Sequence, residues 1–290
     1  MRNKKRGNTM RIKLITDSTS DMPARYLKQY DIAVAPLSVH FGEETFKDDG
    51  SEMTSEEFFE KLRSSKNLPT TSQVSPGEFV RLYDEYLDDY DHIISIHLSS
   101  KLSGTYNAAH QAKEILSTDK IHVIDSKLVS FALGFAVIQG AKMIERAETV
   151  ETVVDFLENA HDHMESIFIF DTLEYLLKGG RLSKTEAILG GLINIKPILT
   201  IKDGELKAID KVRGRKKAIK YALGRIEERA GEIDPLEIAI YESDSSKMLE
   251  EIKEVIESKA AFEAMYESKI GIVVGTHAGP GCAAISYFKK

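Results

Sequence analysis

HIISIHLSSKLSGTYNAA, from His92 to Ala109, changes character twice within a few residues. Ile93, Ile94, Ile96 and Leu98 form an apolar run that reads as a buried strand, and Ser99, Ser100, Ser103, Gly104 and Thr105 follow it directly. The order is strand, turn, helix start. The first backbone N–H groups of a helix have no internal partner, and together with the helix dipole they favour a negative group held there. Ser103 and Thr105 add hydroxyls at the same place. The pattern predicts a small anion site, phosphate or carboxylate, at the carboxyl end of a strand in an open α/β sheet. Ser-x-Ser-Gly ahead of a helix is also ordinary capping, and at this point both readings stand.

The same strand-turn-helix sequence recurs on either side. Arg11–Thr16 reads as a strand, Asp17-Ser18-Thr19-Ser20-Asp21 as a polar turn, and Pro23 opens a helix. Ile32–Phe41 is expected as one further strand, Gly42–Gly50 as a polar excursion and Leu68–Gln73 as a loop rich in hydroxyls. Thr54 with Glu57, Ser75 with Glu78 and Ser183 with Glu186 have capping-box spacing. Ile121–Ile124 is a strand closed by Asp125-Ser126-Lys127. The segment Ser130–Ile144 is almost uncharged, so it is a helix buried on all sides or one that lines an apolar cavity. Thr149–His163 is amphipathic. A strand from Ser166 restarts the pattern, Gly179-Gly180 closes a short helix, and Asp203-Gly204 between two strand patterns is the strongest hairpin signal in the chain. Lys269–Gly275 reads as the last strand, which places His277 in a loop at its end. These elements predict an α/β protein of two domains: residues 10–163 with a mostly parallel sheet flanked by helices, and residues 164–290 with antiparallel strands.

With 290 residues, of which 42% are hydrophobic, the chain has ample material for two cores. A formal charge of −7 argues against a nucleic-acid binder, which usually shows a basic face. Cys282 is the only cysteine, which excludes a disulfide within the chain and cysteine-rich zinc sites and fits a reducing, cytoplasmic setting. No apolar run reaches the roughly 18 residues of a transmembrane helix. Met1–Thr9 is basic and polar, an extension with Met10 the expected start, and is given no role in folding.

His277, flanked by threonine, glycine and proline, is the best candidate for a working imidazole. No cluster has metal-ligand spacing, so neither a metal nor another cofactor is expected. Ser103 and His277 could form a hydrolase pair, yet Ser103 lacks the G-x-S-x-G elbow and no acid is placed in sequence to orient the histidine. Arg213-Gly214-Arg215-Lys216-Lys217 gathers positive charge at a helix entrance, where the dipole disfavours cations; either an anionic partner or a solvated basic turn accounts for it.

Five stretches taken together, Pro69-Thr70-Thr71-Ser72-Gln73, Ser99 through Tyr106, Gly179-Gly180-Arg181, Asn194-Ile195-Lys196-Pro197-Ile198 and Thr276-His277-Ala278-Gly279-Pro280-Gly281, resemble the DegV family. The resemblance runs from about Arg11 to the C-terminus. It implies a two-domain α/β fold that buries a long-chain fatty acid, with the carboxylate at the domain junction, and that serves as the carrier subunit of a fatty acid kinase. Carried over by motif, Thr71, Ser103 and His277 would hold the carboxylate, supported by Ser72, Gly104, Thr105 and Gly279. Arg181 and Arg213 would lie near the head group or on the surface facing the kinase. The ATP-binding kinase subunit, a separate protein, would make the acyl phosphate for phospholipid synthesis, and this chain would not catalyse alone. The alternative is an acyl hydrolase or phosphotransferase using Ser103 and His277.

Overall fold

The computed structural model describes residues 10–182, 194–228, 237–259 and 263–289. The first half of the chain runs β1 (Ile12–Asp17), α1 (Ala24–Gln29), β2 (Ala33–Ala35), β3 (Ser38–Phe41), β4 (Glu44–Lys47), α2 (Ser55–Ser64), β5 (Thr70–Ser72), α3 (Pro76–Leu87), β6 (His92–His97), α4 (Thr105–Leu116), β7 (Ile121–Asp125), α5 (Phe131–Glu145) and α6 (Val150–His163). The second half runs β8 (Met164–Phe170), α7 (Glu174–Lys178), β9 (Ile195–Lys202), β10 (Glu205–Arg213), α8 (Arg215–Glu228), β11 (Glu237–Ser243), α9 (Ser246–Lys259), β12 (Ala264–Lys269), α10 (Ile272–Ala278) and β13 (Cys282–Phe288).

The described residues form three sheets. β2-β1-β6-β7 are all parallel, with Leu14 opposite Ile94 and Ile96 opposite Ile124. The larger sheet has the order β10-β9-β8-β13-β11-β12, antiparallel except for β11 with β12. A small antiparallel sheet, β4-β3-β5, adds Val39 to the core that holds Ile15 of β1 and Ile93 of β6. The α/β architecture and the mixture of parallel and antiparallel sheets are as the sequence implies. Asp203 and Gly204 both have positive φ, as the two-residue turn of a β9–β10 hairpin requires.

Four expectations need correction. Ile32–Phe41 is two strands in two different sheets, because Pro36 has no N–H to donate to a ladder and the chain turns there; the Leu37 amide instead bonds Ser18 Oγ at 3.1 Å. The expected excursion at 42–50 contains β4, and the expected loop at 68–73 contains β5. Both are too short and too polar to show alternation, and each becomes a strand by pairing with β3. Lys269–Gly275 is no strand: β12 ends at Lys269, and Ile272, Val273 and Val274 begin α10. Three β-branched residues favour a strand locally, but tertiary hydrogen bonds to the Gly271 and Ile272 amides decide for the helix.

α5 is buried along nearly its whole length, with Phe131, Leu133, Phe135, Val137 and Ile138 at 0% exposure, so the simple reading of its apolar circumference holds. Ile272 and Val273 of α10 pack beside Phe58, Phe59 and Phe79 in the core of the first half, although α10 lies late in the chain. That crossing brings the two ends of the site together. The capping box expected at Ser183 and Glu186, and the apolar segment 187–193, lie outside the described residues.

The other two capping boxes are present, with the Thr54 and Ser75 side chains accepting from the third helical amide and Glu57 and Glu78 bonding back. Thr54→Ala and Ser75→Ala are each expected to lower stability by about 1 kcal/mol, read as an earlier urea midpoint with an unchanged slope.

Candidate functional site

Of the hydroxyls that follow β6, two are consumed by the fold. Ser99 Oγ donates to the Gly204 carbonyl at 2.7 Å, tying the strand end to the β9–β10 turn. Ser100 donates through its amide and hydroxyl to Asp125, which accounts for the polar end of β7. Ser103 remains. Its Oγ sits 3.0 Å from Thr105 Oγ1 and accepts from the Thr105 amide, so it stands at the open start of α4. Gly104 lies against the Gln73 side chain, whose amide would have to shift for a Cβ, 2.1 Å from Oε1, to fit there.

β5 brings in the second hydroxyl. Successive side chains of a strand face opposite ways, and Thr71 points inward while Ser72 faces out to bond His40 Nε2 at 2.9 Å. Ser72 is therefore not part of the cavity. Thr71 Oγ1 lies 2.9 Å from His277 Nε2, on the last turn of α10. His277 is thus in a helix and not in a strand-end loop. Burial first, and then Arg181, push its pKa down to about 4, so the imidazole is neutral at neutral pH. Nδ1 is buried without a hydrogen-bond partner among the described residues and faces Gly179, where a Cβ would come within 2.4 Å of it. An unmet lone pair is tolerated better than an unmet N–H, which puts the ring proton on Nε2. Nε2–H then donates to Thr71, and the Thr71 hydroxyl proton is free to point at an anion.

Arg181 is delivered by the end of α7. Gly180 at φ +72° reverses the chain, the Arg181 amide returns to the Leu176 carbonyl, and the guanidinium donates to the carbonyls of Leu102 (3.2 Å) and Gly179 (2.7 Å). It is half-buried, burial lowers its pKa, and no carboxylate among the described residues lies within ion-pair distance. A half-buried cation with no counter-ion among the described residues favours an anionic visitor.

Thr71, Ser103, Gly104, Arg181 and His277 line one cavity of about 160 Å³. Thr19, Gln73 and Ser130 also border it, and the rest of its wall is apolar, with Leu98, Val129, Phe168, Phe170, Leu206 and Val273, and Cys282 also lines it. Of the almost uncharged segment 130–144, Ser130 alone borders the cavity. Thr105 is fully buried and supports Ser103, and Gly279 ends α10, its carbonyl accepting from Ser243 Oγ at 2.6 Å. Arg213 lies elsewhere, in a surface depression with Asp171, Lys196, Arg215, Lys216 and Lys217. Sequence reasoning missed Asp21 and Asp48, which hold the start of α10; Asp21 stood in a recognised polar turn, while nothing in the sequence marked Asp48. A hydrolytic pair is not formed, since Ser103 bonds Thr105 and His277 bonds Thr71. Among the described residues no three His, Cys, Asp or Glu side chains are grouped to hold a metal ion, and no helix is long and apolar enough to cross a membrane.

The family model described as "Uncharacterised protein, DegV family" matches residues 11–290. A DegV domain-containing protein of Caldanaerobacter subterraneus is 38% identical over 97% of this chain and 99% of its own, and Protein DegV of Bacillus subtilis is 34% identical over 97% and 100%. Among solved structures, a DegV family protein from Thermus thermophilus described for its fatty acid binding superposes with a TM-score of 0.89 at 34% identity, covering 97% of this chain and all of that one. The Bacillus subtilis DegV structure, described as a fatty acid binding protein, gives 0.86 at 34% identity over 97% and 100%.

Proposed function

Because this chain belongs to the DegV family, we propose that it binds a long-chain fatty acid and presents it to a separate ATP-binding fatty acid kinase subunit, which forms the acyl phosphate used in phospholipid synthesis. The observation that carries the reading is the shared cavity: Thr71, Ser103 and His277 line it together with Arg181, which has no carboxylate within ion-pair distance among the described residues, and most of the remaining wall is apolar. A carboxylate is accepted in such a place only when its lone pairs are met, and two hydroxyls with a neutral imidazole behind one of them do that. Arg181 supplies the compensating charge. Each buried methylene adds roughly 0.8 kcal/mol, so the tail gives most of the affinity while the polar end fixes direction. A cavity near 150 Å³ holds a benzene-sized body, so a long tail must part the walls as it enters. In this reading residues 10–163 and 164–290 are the two units that enclose the ligand, and Arg213, outside the cavity, belongs to the surface offered to the kinase. The setting proposed for this exchange is the cytoplasm.

Native mass spectrometry of the purified protein, followed by denaturation and identification of what is released, tests the proposal. One fatty acid per chain is the expected result. A folded protein that releases none and takes up none when fatty acids are added would sink it.

A further inference from the structure

All five residues of the turn Asp17-Ser18-Thr19-Ser20-Asp21 are buried. Asp21 Oδ2 accepts from Ser130 Oγ at 2.5 Å, and Oδ1 accepts from the Gly271 amide at 2.9 Å. The next amide, Ile272, donates to Asp48 Oδ1 at 3.1 Å. Two carboxylates therefore hold consecutive amides at the start of α10. A Cβ on Gly271 would stand 2.8 Å from Asp21 Oδ1 and 3.0 Å from Asp48 Oδ1, which shows how closely the two acids converge on that glycine. Asp48 Oδ2 is buried without a hydrogen-bond partner among the described residues. The charged groups around the pair offer little relief: Asp17 lies on the same turn, Asp49 borders the same cleft, and Lys269 of β12 is engaged by Glu56 of α2. Burial first, then Asp48 and Asp17, push Asp21 well above the usual carboxylate range, and burial first, with Asp17 adding, pushes Asp48 up to about 6.

We propose that Asp21 and Asp48 act as a positioning pair for α10 that holds the helix best while Asp48 keeps its proton, so that ionising Asp48 beside Asp21 and Asp17 loosens the helix and weakens ligand binding. This rests on the fatty-acid reading above, since α10 carries Val273, Val274, His277 and Ala278 into the cavity and Asp21 also holds Ser130 at its wall. The sign is fixed by linkage. Asp48 has a folded pKa above its unfolded value, so its contribution to stability is full below about pH 4 and is lost as pH rises through about 6. His277 works the other way, losing stability as pH falls from about 6.5 towards 4, and is the same in both proteins compared below.

In ligand-free protein, the Gly271 and Ile272 amide resonances and the His277 ring are expected to share a transition near pH 6 that Asp48→Asn abolishes. With palmitate as the probe, the dissociation constant is expected to rise roughly three- to tenfold between pH 5.5 and 7.5 in the wild type and to stay flat in Asp48→Asn. An Asp48→Asn profile with the wild-type slope overturns the pair, and so does a wild type whose three resonances do not move together, a measurement that needs no variant to fold. Absence of palmitate binding at every pH overturns the fatty-acid reading instead, and palmitate binding beside pH-independent amides overturns the pair alone.

Discussion

His277→Ala is expected to weaken the proposed fatty acid binding by on the order of 10- to 100-fold in a calorimetric titration at neutral pH, the range expected when hydrogen bonds to a charged group are lost. His277 does not act by charge, because its imidazole is neutral above about pH 4. In the proposed complex it would act by taking one lone pair of Thr71 Oγ1, 2.9 Å away, so that the Thr71 proton turns towards the carboxylate. Without the ring, the Thr71 hydroxyl rotates freely, and a buried carboxylate keeps Ser103 and Arg181 with one donor of uncertain aim. Thr71→Ala removes that donor itself and is expected to cost about as much. Since the two side chains work as a unit, the double variant should fall well short of the sum of the single losses. Additive losses would show that the imidazole touches the ligand independently of Thr71, and an unchanged affinity in His277→Ala would place the head group elsewhere. The tail's contribution is separate: shortening the acyl chain should lower affinity by similar steps in wild type and variant.

Much of this was legible in the sequence because it is written locally. An apolar run followed by Ser, Gly and Thr fixes a strand, a turn and a helix start, so the place of Ser103 at the opening of α4 could be read from residues 93–105 alone. The Asp203-Gly204 turn and the boxes at Thr54 and Ser75 are equally local. What could not be read were elements that exist only through distant partners. β5 has three residues and no alternation, and it is a strand because Val39 pairs with Thr71. α10 begins with three β-branched residues and is a helix because Asp21, 250 positions away, and Asp48, 224 positions away, take its first amides. The site straddles both kinds. His277 was singled out by its sequence neighbours and Thr71 by motif resemblance, but their 2.9 Å contact depends on β5 and α10, the two elements that residue patterns alone had misassigned. Ser72 illustrates the same limit, since the alternation that turns it out to His40 could not be invoked before its segment was known to be a strand.

Gly279→Ala is expected to lower the melting temperature by roughly 10 °C or more. Gly279 has φ +70° and ψ 179°, a region open almost only to glycine, and entering it costs a side-chain-bearing residue about 1–3 kcal/mol. Space is short as well: a Cβ would lie 2.1 Å from Tyr175 Cδ2 and 2.6 Å from Cγ, inside the ring's own volume, and overpacking of that kind adds about 1–3 kcal/mol. Gly42, also at positive φ but with nothing within 4 Å of its Cβ position, bears the conformational cost alone and serves as the control. The two contributions to the Gly279 loss can be separated in a Tyr175→Ala background, where the clash is gone and the backbone strain remains, so Gly279→Ala should cost less there. Function should suffer with stability. Tyr175 lies on α7, whose C-terminal Gly179 packs against His277 Nδ1, so pushing the ring away shifts the wall behind the imidazole. A Gly279→Ala protein that melts like the wild type would mean that α10 ends in another conformation, and the His277–Thr71 contact that depends on it would have to be redrawn.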